Sequence, residues 1–313
     1  MNGLNKQNKV HWALEKERGS YFFLKLTLIL VRYLPLFICY FFVYIVCIYF
    51  YISSRQLRKN ILHYQNNLNK TFPENNLPKK FPIFLQVVNF GTSIVDRFAV
   101  WSGKIAHKNL LISDPDGIME RLTNNKRGEI FICSHLGNLD VLRGFLHIYP
   151  EFKLNILHHS QNAKMFNRVL EESGAENIRL IQVSELDADF MLKLSNKLEQ
   201  GEWIVIAADR IPLSGNKYCS VKFLGEEANF PTGSWLLASI LKAPTNTIFA
   251  LKEKSKFRLI LRNFSSVEDI RNKRKNFTPL IEKYSTVLAE IAREYPLQWF
   301  NFFDFWQQGR ENK

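Results

Sequence analysis

Apolar and polar residues alternate along this chain in three regimes, and each regime predicts a different kind of element. From Tyr33 to Ile52 the sequence YLPLFICYFFVYIVCIYFYI runs 20 residues without a charged side chain. That is the length an α-helix needs to cross a hydrocarbon layer of about 30 Å. The run begins far from Met1, lacks a small-residue cleavage pattern and is followed by Arg55, Arg58 and Lys59, so it reads as a retained anchor and not a secretory signal. Pro35 can bend it, and Tyr33, Tyr40, Tyr44, Tyr49 and Tyr51 favour the membrane interface. A span and an in-plane anchor both fit. Basic residues lie on both sides, Lys6, Lys9, Lys16, Arg18, Lys25 and Arg32 before and Lys70 among those after, so charge asymmetry assigns no orientation.

The second regime, residues 56–80, is polar and basic and is expected to be a linker leading to an apolar helix from Ile83 to Trp101. Beyond Gly128 short apolar runs alternate with helical periodicity: EIFICS, LDVLRGFLHI, KLNILH, AKMFNRVLEE and IRLIQV. A helix opened by Ser184 and Asp187 with capping-box spacing and closed at Gly201 leads into EWIVIAA. VKFL, a helix from Ser234 to Leu241, TNTIFAL and KFRLILRN follow. This βαβ rhythm predicts an α/β fold, a mostly parallel sheet flanked by helices, with ligands at the carboxyl ends of the strands. The expected organisation is a basic segment and membrane-anchoring helix over 1–55, a linker and helical region over 56–110, and a catalytic domain over 111–313.

Charge and composition narrow the partners. Lys and Arg number 42 against 29 Asp and Glu, a net charge of +13, which suits an anionic partner. The basic runs carry no nucleic-acid module spacing, so nucleic acid is not expected. The cysteines, Cys39, Cys47, Cys133 and Cys219, form no C-x-x-C pair, which argues against a zinc site or a disulfide framework. His158-His159 lacks a third ligand at metal spacing, and no metal or bound cofactor is expected. Aromatic residues make up 14% of the chain and gather near both ends, a skew that suggests lipid. The closing run Trp299 to Trp306 is expected to pack in the core.

The strand EIFIC runs into Ser134-His135-Leu136-Gly137-Asn138-Leu139-Asp140, an H-x-x-x-x-D motif. On one straight helix the two side chains would not share a face. Gly137 allows a sharp turn and Asn138 can cap the next helix, which lets His135 and Asp140 meet. A carboxylate holding one imidazole nitrogen frees the other to take a proton from an attacking hydroxyl. The plainer alternative is a satisfied, half-buried histidine and an acid complementing a helix N-terminus. Asp209-Arg210 lies at a second strand exit, where an arginine could hold a phosphate or an oxyanion, and an ordinary loop ion pair is the alternative. Arg143 and Arg168 are further candidates for such contacts. The stretch ending Phe230-Pro231-Thr232-Gly233 precedes a helix whose amides could bind an anion.

These residues resemble the lysophospholipid acyltransferase superfamily, whose hallmark is H-x-x-x-x-D or H-x-x-x-x-E. SHLGNLDVLRG, ADRIP, VKFLGEEANFPTGS and QWFNFFDFW, with HWALEKERGS near the start, are similar to the bacterial branch related to lipid A biosynthesis acyltransferases. The resemblance implies a membrane-associated enzyme of the inner membrane, and because thioester donors are made in the cytoplasm its active site is expected to face them. It would move a fatty acyl group from an acyl carrier protein or acyl-coenzyme A to a lipid hydroxyl. It further implies His135 as general base with Asp140 as its partner, Asp209 and Arg210 in a block tied to the active site, and Phe230, Pro231 and Gly233 in a block lining the substrate groove. Aspartate at 140, where lipid A enzymes usually carry glutamate, keeps a lysophospholipid acceptor in play. A non-catalytic lipid-binding protein is the rival reading. A glycosyltransferase is disfavoured because Asp187-Ala188-Asp189 falls at a helix start.

Overall fold

The computed structural model describes residues 29–105, 107–142, 145–146, 149–158, 178–183, 187–212, 217–273 and 276–308. The apolar run forms helix α1 (Leu36–Ser53) with Pro35 at its N-cap; residues 29–33 before it are also helical, so the proline interrupts the helical path where the sequence expects a bend. Helix α2 (Arg55–Thr71) occupies the stretch expected to be a linker. Its polar composition conceals an amphipathic pattern in which Ile61, Tyr64 and Leu68 recur at helical spacing and are buried. Helix α3 (Pro82–Trp101) follows as expected.

The body of the protein is built on a sheet of seven strands in the order β1-β9-β8-β2-β5-β3-β4. They are β1 (Leu110–Ser113), β2 (Ile130–Cys133), β3 (Leu154–His158), β4 (Ile178–Gln182), β5 (Trp203–Ala207), β8 (Thr245–Glu253) and β9 (Lys256–Ser265). Only β8 and β9 pair antiparallel, and every other neighbouring pair is parallel. The central strands β2 and β5 are apolar at every position because both faces are covered, and β8 is buried over its first seven residues although it opens with Thr245, Asn246 and Thr247. A second, two-stranded sheet is the antiparallel hairpin β6 (Tyr218–Phe223) and β7 (Glu226–Pro231), turning at Leu224 and Gly225, both with positive φ.

Short α4 (Ile118–Asn124), α5 (Ala188–Glu199), α6 (Gly233–Leu241), α7 (Val267–Asn272) and α8 (Thr278–Glu294) lie along the sheet and after it in the chain. Asp187 caps α5 by accepting from the N–H of Phe190, while Ser184 lies outside the described residues. One core cluster joins α2, α5, α6, α8 and the C-terminal aromatics to one side of the sheet, and another joins α3 and α4 to the other. At the amino-terminal edge, buried Glu129 and Glu202 are matched by Arg121 and Asn246, and by Lys197 and Asn155. These satisfied networks read as structural, which leaves the carboxyl edge for chemistry.

Candidate active site

Strands β2 and β5 lie side by side in parallel, with Cys133 opposite Ala207. Two residues beyond each strand stand His135 and Asp209. Equal departure from adjacent parallel strands is what brings them together: the Nδ1–H of His135 donates to Asp209 Oδ1 at 2.8 Å, and the His135 backbone N–H donates to Oδ2 at 2.9 Å. Asn301 Nδ2 and, at longer range, Trp299 Nε1 also donate to Oδ2, at 2.8 and 3.4 Å. The carboxylate is fully buried, whereas the imidazole is 36% exposed, and its Nε2 has no hydrogen-bond partner among the described residues.

The carboxylate settles the tautomer, since an ionised Asp209 only accepts and Nδ1 must therefore carry the proton. Burial alone would raise the Asp209 carboxyl, but the His135 ring, its hydrogen bonds and Arg210 bring it down to about 2. The His135 imidazole is held below its usual value, first by burial and then by the Arg210 charge, with Asp209 acting in the opposite sense. The product is a neutral imidazole with a braced Nδ1 and an available Nε2, the arrangement a general base requires.

Asp140 is not the brace. The chain does turn at Gly137, where φ is +86°, but it turns towards β8, the neighbour of β2 opposite β5. The Asn138 N–H donates to Ala250 O at 2.7 Å, and a Cβ on Gly137 would stand 2.3 Å from that same oxygen. Asn138 caps the short 3-10 turn Leu139–Val141 as expected, accepting from the Asp140 N–H. This carries the Asp140 carboxylate to α3, where Oδ2 lies 2.5 Å from Arg97 Nε. The expected His135–Asp140 contact is thus replaced by two separate pairs, His135 with Asp209 and Asp140 with Arg97.

The other predicted residues fall in several environments. Arg210 Nε donates to Asn301 Oδ1 at 2.6 Å, Nη2 donates to Phe300 O at 3.0 Å, and the guanidinium lies 5.6 Å from the Phe303 ring centre. It therefore ties the C-terminal segment over the pair. Phe230 is wholly buried against Phe223, Tyr284 and Phe305, and Pro231 is buried beside it. Gly233 begins α6, whose Ser234 hydroxyl donates to Ala207 O at the end of β5. Phe230 supports the site from below, so its place is in the core and not on a groove wall. Arg143, Arg168 and His159 lie outside the described residues.

Sequence reasoning missed three contributors. Arg97 was hidden in an apolar helix, where an Asp-Arg pair among hydrophobic residues was the available signal. Trp299 and Asn301 were read with the packing run. That run does pack, Trp299 lying against Tyr64, Phe223 and Phe305, but it also frames the histidine loop. Leu136 pairs with Trp299, and the Phe300 N–H donates to His135 O at 2.9 Å. Among the described residues no cluster of three or more His, Cys, Asp or Glu side chains is placed to hold a metal ion.

Fold and site together define a class: an α/β protein with a carboxylate-braced histidine at the carboxyl edge of a mostly parallel sheet, and with two helices long and apolar enough to cross a membrane among the described residues. A model of the bacterial lipid A biosynthesis acyltransferase family matches residues 8–307. The chain belongs to that family and is an acyltransferase acting on lipid. No curated protein matches it.

Proposed function

We propose that this protein is a membrane-associated O-acyltransferase in which His135, braced by Asp209, is the general base. The observation that carries this reading is the His135 Nδ1–Asp209 Oδ1 hydrogen bond of 2.8 Å, with Nε2 left available. A lipid hydroxyl gives its proton to Nε2 while its oxygen attacks the acyl thioester carbonyl. The tetrahedral oxyanion then collapses, the C–S bond breaks, and the imidazolium returns the proton to the leaving thiolate. Asp209 remains ionised throughout and stabilises the imidazolium. The oxyanion needs donors at the point where charge develops, and the loop amides around Gly137 are partly committed, the Gly137 N–H to Gln298 O and the Asn138 N–H to Ala250 O.

The donor is an acyl carrier protein or acyl-coenzyme A, and both are acidic partners for a chain of net charge +13. Such donors are cytoplasmic, so the active site faces the cytoplasm at the inner membrane. The acceptor is a lipid A precursor or a related bacterial lipid. Asp140 serves by orienting Arg97, a cation beside the histidine loop suited to the anionic part of a substrate.

His135→Ala tests the proposal directly. Acyl transfer from a labelled thioester to a lipid extract, read by product mass, is expected to vanish while lipid association persists. Unchanged transfer in that variant would refute the mechanism. A wild-type protein that binds lipid but forms no acylated product would favour the lipid-binding alternative.

A further inference from the structure

Helix α1 does not project from the protein. It runs antiparallel to α3 along its whole length: Tyr51 and Tyr44 meet the Phe84 ring at 5.4 and 5.1 Å, and Cys47 Sγ donates to Val87 O at 3.5 Å. Further along, Tyr40 donates to Asp96 Oδ1 at 2.5 Å, and Lys104 Nζ donates to Leu34 O at 2.6 Å. The helices approach so closely at Gly91 that a Cβ there would stand 2.7 Å from both Cys47 Sγ and Val43 Cγ1.

The other side of α3 is committed to the catalytic domain. Gln86 donates to Trp299 O, Asn138 donates to Ser93 O, Asp96 pairs with Lys252 at 2.7 Å, and Arg97 pairs with Asp140. If α1 crossed the bilayer, α3 would lie at the same depth and carry these charges and the histidine loop towards hydrocarbon. Central charges cost several kcal/mol each in that setting.

The outward side of α1 is apolar and open. Only 11% of its most hydrophobic window is buried, and Phe37, Phe41, Ile45, Ile48 and Ile52 recur at helical spacing along one exposed stripe. Cations bound the stripe at both ends: Arg32 and Lys104 at one, Arg55 and Lys59 at the other, all exposed. Beyond it, exposed Phe90 of α3 touches Phe300 and Phe302 at 5.4 and 5.1 Å, and the Phe300 N–H is bonded to His135 O. An exposed aromatic of the helix that carries α1 is thus linked through Phe300 to the loop of His135.

We propose that α1 lies in the plane of the membrane, its stripe sunk into one leaflet of an anionic bilayer and both cationic ends on the headgroups of that same leaflet. This docking presents the His135 loop to hydroxyls in that leaflet. It rests on the reading that the enzyme works at a lipid surface.

The test adds the full chain to preformed sealed vesicles of phosphatidylglycerol and phosphatidylethanolamine, with a fluorophore placed singly at Phe37, Ile45 or Ile52 and lipid-borne quenchers at graded depths. All three positions are expected at one shallow depth, roughly 5–10 Å into the boundary. A profile deepest at Ile45, with Phe37 and Ile52 near opposite surfaces, overturns the proposal. Absence of quenching at all three also overturns it, and it removes the lipid-surface part of the functional reading while acyl transfer to a detergent-dispersed acceptor still judges the chemistry. Unlabelled wild-type chain with an N-terminal tag supplies a second readout. External protease removes the tag from an in-plane protein and leaves it protected if the helix has crossed.

Discussion

At the scale of the residue, the site turns on which carboxylate faces the imidazole. Asp209 is buried and receives four donated hydrogen bonds, from the His135 ring, the His135 backbone, Asn301 and Trp299. Asp209→Asn should therefore lower kcat by about 10³- to 10⁴-fold, because the amide cannot hold the same tautomer. Asp140→Asn should instead raise KM for an anionic acceptor and leave the acid limb of the pH profile in place. Arg97→Ala should match it, with the double variant little worse than either single one. Steady-state kinetics across pH separates these outcomes, and a moved acid limb in Asp140→Asn would return Asp140 to the histidine. Since His135 titrates below the ordinary imidazole value, kcat/KM should rise with pH through a midpoint under 6.5. Arg210→Ala removes one cause of that lowering and should move the midpoint up. Stability follows the same sign: with His135 and Asp209 both depressed in the fold, the unfolded chain binds more protons. Denaturant midpoints should thus decline as pH falls below 6.5 and again below about 4.

At the scale of the element, the decisive feature is the loop from Ser134 to Asp140. Its direction is set by Gly137, which has both a left-handed φ and no room for a side chain against Ala250 O. Gly137→Ala should destabilise the protein by at least ~2 kcal/mol in chemical denaturation, combining strained backbone with a steric clash. An effect under half of that would mean the loop can rearrange and the bond from Asn138 to β8 is dispensable. The strands were legible because buried parallel strands are continuous apolar runs, and EIFIC, KLNILH and EWIVIAA each became one. Helix α2 was not, since Asn, Gln and Lys dominate its composition while its buried face shows only in the spacing of Ile61, Tyr64 and Leu68. The histidine was legible from its place at a strand exit. Its partner was not, because adjacency of β2 and β5 is a matter of sheet order.

At the scale of the whole molecule, the net charge of +13 and the exposed apolar helix act together. Binding to anionic vesicles should weaken as salt rises from about 0.05 to 0.5 M but not vanish, since screening removes the headgroup attraction and leaves the apolar contact. Cosedimentation with vesicles at graded ionic strength measures this, and salt-independent binding would make the charge irrelevant to docking. By itself, the order of residues determined the apolar run, the alternation of strands and helices, the basic charge and a histidine at the mouth of a strand, because all of these are local in the chain. Tertiary structure alone decided which acid meets the imidazole, where Arg97 stands and against what the apolar helix lies. Those contacts join residues far apart in sequence, and only the order of the strands and the packing of α3 on the sheet bring them within reach.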